Sequence, residues 1–214
     1  MEKKRVEEFD NIVEMNEKGQ DALNSYWMDY SLYTSFEYWL MAAFFFVPLI
    51  VLYFKIDRSK IFLLGFYGYS IHVFFNYTDW YGKNSGFWNY PFPLIPVTPG
   101  ISIDSSLIPV IFMLVYQWTL NKRKNYYVYT ILTAVFLAFV FKPFLIAIGL
   151  FRMYGNTHYL HLFGGYLIVL LTAKIITNVF LWMEKRNNNR LERKKVPAPK
   201  REGTFNSDAG RIIL

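Results

Sequence analysis

His72, Asn76 and Asp79 fall at i, i+4 and i+7 of one apolar run, so a helix there carries an imidazole, an amide and a carboxylate on one face. His158 and His161, at i and i+3, open a second apolar run, Asp104 opens a third, and Lys142 interrupts a fourth. Three chemistries use such residues. His72, His158, His161 and Asp104 are a ligand set for Zn²⁺ that leaves a water position open. A carboxylate beside an imidazole, drawn from His72, Asp79 and Asp104, is instead a general base for hydrolysis. The third use is a buried polar network of His72, Asn76, Asp79, Lys142 and Gln117 that fixes how helices pack. The same residues also suit the membrane interface. Asp104 ahead of Ser105 and Ser106 reads as a helix N-cap, and Asp79-Trp80-Tyr81 and His158-Tyr159 read as headgroup-level belts.

The elements that must position these groups are apolar. Of 214 residues, 54% are hydrophobic and only 18% charged, against about 25% in a soluble domain. Five blocks are long and uncharged enough to span a bilayer: 38–54, 61–80, 104–120, 126–142 and 159–183. They predict an all-α integral membrane protein, a five-transmembrane-helix bundle. The fourth block stays apolar to Phe151, about 39 Å as a helix against a hydrocarbon core of roughly 30 Å. It is expected to kink or end at Pro143, leaving 144–151 shallow or folded back. Lys174, in the fifth block, is expected to snorkel, and Gly65, Gly68, Gly164 and Gly165 to let helices approach closely. Cysteine is absent, which excludes disulfides and thiolate metal sites. No P-loop, nucleotide fingerprint or G-x-S-x-G elbow is present.

Charge orients the blocks. Lys55, Arg58 and Lys60 follow the first and Lys122, Arg123 and Lys124 the third, whereas Lys83 and Arg152 stand nearly alone after the second and fourth. The positive-inside rule then puts the N-terminus outside and the C-terminus in the cytoplasm of a multi-pass plasma-membrane protein. Segment 1–37 reads as an acidic, extracytoplasmic stretch containing a short amphipathic helix around Val6, Phe9, Ile12 and Val13. Segment 184–214, with nine Lys/Arg against four Asp/Glu, reads as a basic disordered cytoplasmic tail. The net charge of +7 therefore reflects topology, and nucleic acid is not an expected partner.

Between the second and third blocks runs GFWNYPFPLIPVTPGISIDSSLIP, residues 86–109. Its prolines forbid a helix over most of its length. Bare in lipid, its backbone would lose several kcal/mol per unpaired group. It is expected to form an outer lid or re-entrant loop through Trp88, Tyr90, Pro91, Pro93, Pro96 and Pro99. Phe87, Trp88, Tyr90 and Phe92 would anchor at headgroup depth, the prolines would follow a polyproline-like path, and Asp104 would cap the next helix.

The run Trp88-Asn89-Tyr90, followed by Pro96, Asp104, Pro109 and Met113-Leu114-Val115-Tyr116-Gln117, resembles an uncharacterised family of small multi-pass membrane proteins. Its members come mainly from spore-forming Gram-positive bacteria. The resemblance covers about residues 79–118. It implies a bacterial plasma-membrane location, draws attention to Asp104 and Gln117, and lends no catalytic residue. The function expected is a non-enzymatic scaffold, sensor or accessory subunit. The alternatives are an intramembrane metal-dependent hydrolase and a small permease or lipid-binding protein. No cofactor is expected; the expected partners are the lipid bilayer and another membrane protein.

Overall fold

The computed structural model describes residues 2–195, with side chains for residues 3–191. The chain divides into two units, Met1–Thr177 and Asn178–Leu214. The first begins with α1 (Glu2–Tyr30) and α2 (Phe36–Lys55), where Ser35 caps α2 by accepting from the Tyr38 N–H. Asp57 caps a short 3₁₀ turn, Arg58–Lys60, that leads into α3 (Ile61–Asn84). Hydrogen bonds from Lys60 and Ser59 hold the Asp57 carboxyl well below the usual carboxylate range. Strand β1 (Trp88–Asn89) and a looping segment then reach α4 (Ile108–Asn121) through a π-helical turn, Ile103–Leu107. Asn125 accepts from the Tyr127 and Val128 amides to cap α5 (Tyr126–Phe136). A second π-helical turn, Leu137–Phe141, continues into α6 (Lys142–Ala147). Strand β2 (Arg152–Met153) and α7 (Tyr159–Lys195) complete the described chain.

Both π-helical turns have one cause. The Ile108 amide bonds Ile103 O and the Lys142 amide bonds Leu137 O, each five residues back, and proline comes next in both cases, as Pro109 and Pro143. A proline ring offers no amide and collides with the carbonyl four residues before it. Widening the preceding turn by one residue turns that carbonyl away, so the helix continues where a break is the alternative. The fourth apolar block accordingly runs straight through Pro143 to Ala147. The expected end at 142 is corrected, and the turn comes at Gly149, whose φ is 77°. There Leu150 N–H reaches back to Leu145 O at 2.9 Å, closing the helix in a Schellman motif.

The chain runs back and forth between two ends. At one end β1 pairs antiparallel with β2, Trp88 opposite Met153 and Asn89 opposite Arg152. The Trp27 indole of α1 donates to Pro93 O at the same end, at 2.8 Å. At the other end Gln117 accepts from the Asp57 amide at 2.7 Å and donates to Lys55 O at 2.9 Å, tying α4 to the α2–α3 connection. The core lies between α3 and α4, where Leu64, Tyr67 and Ile71 meet Ile108, Phe112 and Tyr116, all buried. Gly68 makes this approach possible, since a Cβ there would strike the Met113 side chain. A Cβ on Gly165 would make only an ordinary contact with Thr78, and Gly65 and Gly164 face open space, so these three do not require glycine for close packing.

Four segments are long and apolar enough to cross a membrane: Phe36–Lys55, Ile103–Asn121, Tyr126–Ala147 and Tyr159–Leu191. Broad apolar exposure, such as Phe46, Val47, Ile50 and Phe54 on α2, is compatible with a lipid-facing surface. Helix α3 has the length, 24 residues, but is not among the four. Its hydropathy is lowered by Ser70, His72, Asn76 and Asp79, of which Ser70 and Asp79 are buried against neighbouring helices.

Two expectations about the chain ends change. The N-terminal helix is 29 residues long rather than short, and Val6, Phe9, Ile12 and Val13 on it are exposed. In the second unit, residues 184–195 continue α7 as helix, with the Arg186 guanidinium 5.4 Å from the Trp182 ring. That helix replaces the expected disorder over this stretch; residues 196–214 lie outside the described part.

Candidate functional site

Where the β1–β2 end meets the helices, two carboxylates are buried side by side. Asp79 is on α3 and 6% exposed; Asp104 is in the first π-helical turn and 3% exposed. Tyr90, from the loop after β1, places its hydroxyl 3.0 Å from Asp79 Oδ1 and 3.0 Å from Asp104 Oδ2. Asp79 also accepts the Trp88 indole N–H at 3.0 Å and pairs through Oδ2 with Lys83 Nζ at 2.8 Å. Lys142, the first residue of α6, is buried nearby. Its ammonium lies 3.9 Å from the centre of the Phe151 ring and 5.3 Å from that of Tyr90. Isolated charges this deep would be costly. Here ion pairing, hydrogen bonds and aromatic faces compensate them.

Local sequence explains each placement. Asp79 and Lys83 stand one helical turn apart, which makes their pairing automatic. Asp104 and Lys142 both belong to helix segments disturbed by the prolines that come after them, so their side chains are turned relative to an ideal helix. Gly100 supplies the space between the carboxylates: a Cβ there would meet Asp104 Oδ2 and Asp79 Oδ2. Gly82 similarly admits the Trp88 ring. The β1–β2 pairing then holds Trp88 and, one residue beyond the strand, Tyr90 over the carboxylates.

A cavity of about 40 Å³ lies beneath Tyr90, lined among others by Asp79, Asp104, Lys142, His161 and Tyr166. On the other side of Tyr90 is a larger pocket of about 270 Å³. Leu23, Tyr26 and Trp27 of α1 form one wall; Pro91, Pro93, Pro96 and Pro99 form another, and Arg152 and Tyr154 complete it. Tyr90 lines both spaces.

Several sequence expectations meet at this point and others do not. Asp79, Asp104, Lys142 and His161 come together. His72 does not line that cavity; its ring bonds the Asp104 backbone instead, and Asn76 bonds its carbonyl at 2.7 Å and reaches Ser105 Oγ at 3.4 Å. His158 stacks on His161, its amide donating to His161 Nδ1 at 3.0 Å. Among the described residues, no three His, Asp or Glu side chains are grouped to hold a metal, so His72, His158, His161 and Asp104 are not an assembled ligand set. Asp104 is not an N-cap either, because its amide already bonds Gly100 O inside the helix start. Gln117 leaves the expected network for the opposite end of the helices.

The lid differs in character from its expectation. Trp88 and Tyr90 turn inward to the carboxylates instead of anchoring at headgroup depth, because Asp79 and Asp104 need donors more than the interface needs rings. The proline segment is a succession of turns, Thr98 N–H to Ile95 O and Ile101 N–H to Thr98 O, rather than a polyproline path. Lys174 reaches toward the end of α4 and the start of α5. It donates to the Tyr116 hydroxyl at 2.8 Å and lies against the Tyr116 and Tyr126 rings, at 4.2 and 4.8 Å, with Tyr67 bonded to Tyr126 behind them.

Sequence reasoning missed Lys83, Tyr166 and Gly100 as parts of the site. The four-residue spacing from Asp79 announces Lys83; no local signal announces the other two. The chain is thus mostly helical, with four helices long and apolar enough to cross a membrane and a buried ionic centre under a loop. It matches no family model, no curated protein and no solved structure.

Proposed function

We propose that this is a five-span plasma-membrane protein, N-terminus outside and C-terminus cytoplasmic, that acts without catalysis as a sensor of a small extracytoplasmic molecule. The observation that carries this reading is the double role of Tyr90. It is a wall of the 270 Å³ pocket and, through its hydroxyl, the shared partner of Asp79 and Asp104. A molecule seated in that pocket touches the residue that organises the charges between α3 and α4. The inner cavity, at about 40 Å³, has no room for an organic substrate. The ligand best suited to the pocket is a small aromatic anion, with its ring on Tyr26, Trp27 and the prolines and its charge at Arg152. Loop charge and the acidic first segment support the orientation, and helix α3 supplies the fifth span, its polar face turned inward.

Two measurements test this. Because the chain has no cysteine, single cysteines can be read without background. Glu17→Cys is expected to react with a membrane-impermeant maleimide on intact cells, and Lys124→Cys only after permeabilisation; the reverse pattern overturns the orientation. With naphthoate as probe, saturable quenching of Trp27 fluorescence is expected in the purified protein. Binding should weaken at least about tenfold in Arg152→Ala, a loss of about 1.4 kcal/mol, and stay unchanged in Gln117→Ala. Binding indifferent to Arg152 and Trp27→Phe would remove the pocket from the proposal.

A further inference from the structure

Tyr90 has one hydroxyl hydrogen and two carboxylate contacts. Its oxygen is 3.0 Å from Asp79 Oδ1 and 3.0 Å from Asp104 Oδ2. A single hydrogen satisfies one of these. The other contact would set two lone pairs against each other unless the carboxyl brings a hydrogen of its own. Burial, and then the charges of Asp104 and Asp79, push the Tyr90 phenol well above its ordinary value, so the phenol keeps its hydrogen.

The remaining partners decide which carboxyl brings the second hydrogen. Asp79 accepts from the Trp88 indole through Oδ1 and pairs with the Lys83 ammonium through Oδ2, so both its oxygens already face donors. The Asp104 carboxyl, in a residue 3% exposed, has no hydrogen-bond donor other than Tyr90 among the described residues. Lys142 makes no close ion pair among the described residues: its ammonium lies against the faces of Phe151 and Tyr90 and feels Asp104 and Asp79 only at longer range. The hydrogen therefore runs from Asp104 O–H to Tyr90 O, and from Tyr90 O–H to Asp79 O⁻.

We infer that the cavity beneath Tyr90 is a binding site for one exchangeable proton, carried by Asp104 and registered through Tyr90 by Asp79. A second feature points the same way. The Tyr166 hydroxyl is buried, 2% exposed and without a hydrogen-bond partner among the described residues, and lines the same cavity as Asp104. About 40 Å³ admits a water, for which Tyr166 and Asp104 are the polar partners. Exposed His161 lines the same cavity and gives it a border with the surface, its Nδ1 occupied by the His158 amide. The groups facing Asp104 are Asp79 and Lys83 from α3, with His72 of the same helix on its backbone, Tyr90 and Trp88 from the loop, Lys142 from α6, and His161 and Tyr166 from α7. Release breaks the Asp104 O–H bond, passes the proton to water in the cavity and on to bulk solvent, and leaves a carboxylate facing Lys142. Uptake is the reverse. Two lysines near two carboxylates let the centre exist in both states without a large unbalanced charge. This inference stands on the geometry of the site and is independent of the ligand pocket.

Infrared spectroscopy of the full-length protein in lipid nanodiscs tests it. At neutral pH the carbonyl stretch of a protonated, hydrogen-bonded carboxylic acid is expected above the amide band. It should shift down on transfer to D₂O and disappear in Asp104→Asn. Asp79→Asn should retain it. Absence of the band in the unsubstituted protein overturns the proposal, and this reading requires no variant to fold. A band that fails to shift in D₂O, or that vanishes in Asp79→Asn and survives in Asp104→Asn, overturns it equally.

Discussion

Asp79→Ala is expected to lower the unfolding free energy of the detergent-solubilised protein by about 3 kcal/mol. Three donors lose their acceptor together: the Lys83 ammonium, the Trp88 indole N–H and the Tyr90 hydroxyl. Breaking a buried ion pair by removing one partner costs about 3–5 kcal/mol, because the other charge is left uncompensated. The lower end applies here, since the Lys83 side chain is 18% exposed and can turn toward solvent. Asp79→Asn keeps an acceptor for Trp88 and Tyr90 and is expected to lose roughly half as much. The contrast is Glu8→Ala on α1, whose partner Lys4 is 82% exposed. That change should stay within about 0.5 kcal/mol, as exposed pairs contribute little. Reversible unfolding titrations measure all three, and a loss under about 1 kcal/mol for Asp79→Ala would show that the centre does not hold the helices together.

Gly100→Ala is the second large effect, and it separates the geometry of the site from its composition. No charge or hydrogen-bonding group is removed, yet the added methyl runs into both Asp104 Oδ2 and Asp79 Oδ2. The carboxylates must separate or the loop must shift, at a cost of about 1–3 kcal/mol. Either movement breaks the shared contact with Tyr90, so the protonated carboxyl band should weaken with the stability. Gly164→Ala is the opposite case. A Cβ there meets nothing within 4 Å, and the residue lies inside helix α7. Replacing a helical glycine by alanine should then stabilise by about 0.5–1 kcal/mol. Equal responses at the two positions would mean that Gly100 is not a spacer between the carboxylates.

Much of the architecture was legible one block at a time. Helices begin and end near the apolar blocks because burial in lipid selects uncharged runs of that length, and caps such as Ser35, Asp57 and Asn125 stand at their starts. The inward face of α3 was legible too, from His72, Asn76 and Asp79 on one apolar helix. Its contacts were not. His72 and Asn76 bond each other, His72 bonds the Asp104 backbone and Asn76 reaches Ser105, while Asp79 engages the side chains of residues 83, 88 and 90. Side chains a single turn apart thus take different partners, and spacing alone does not assign them.

Composition and residue order were enough for the membrane class, the alternation of loop charge and the inability of residues 91–99 to form a helix. These properties come from transfer free energies and from the proline ring, which act on each segment whatever surrounds it. The meeting of Asp104 with Asp79 through Tyr90 is instead a product of packing in three dimensions. Each π-helical turn adds a residue to the helix repeat and rotates the two flanking helical segments by roughly 100° relative to each other. The path of the 85–102 loop depends on a two-residue strand pairing with β2, more than sixty positions away. Contacts set by helix rotation and distant pairing have no local signature, and they are what turns two isolated aspartates into one proton-sharing centre.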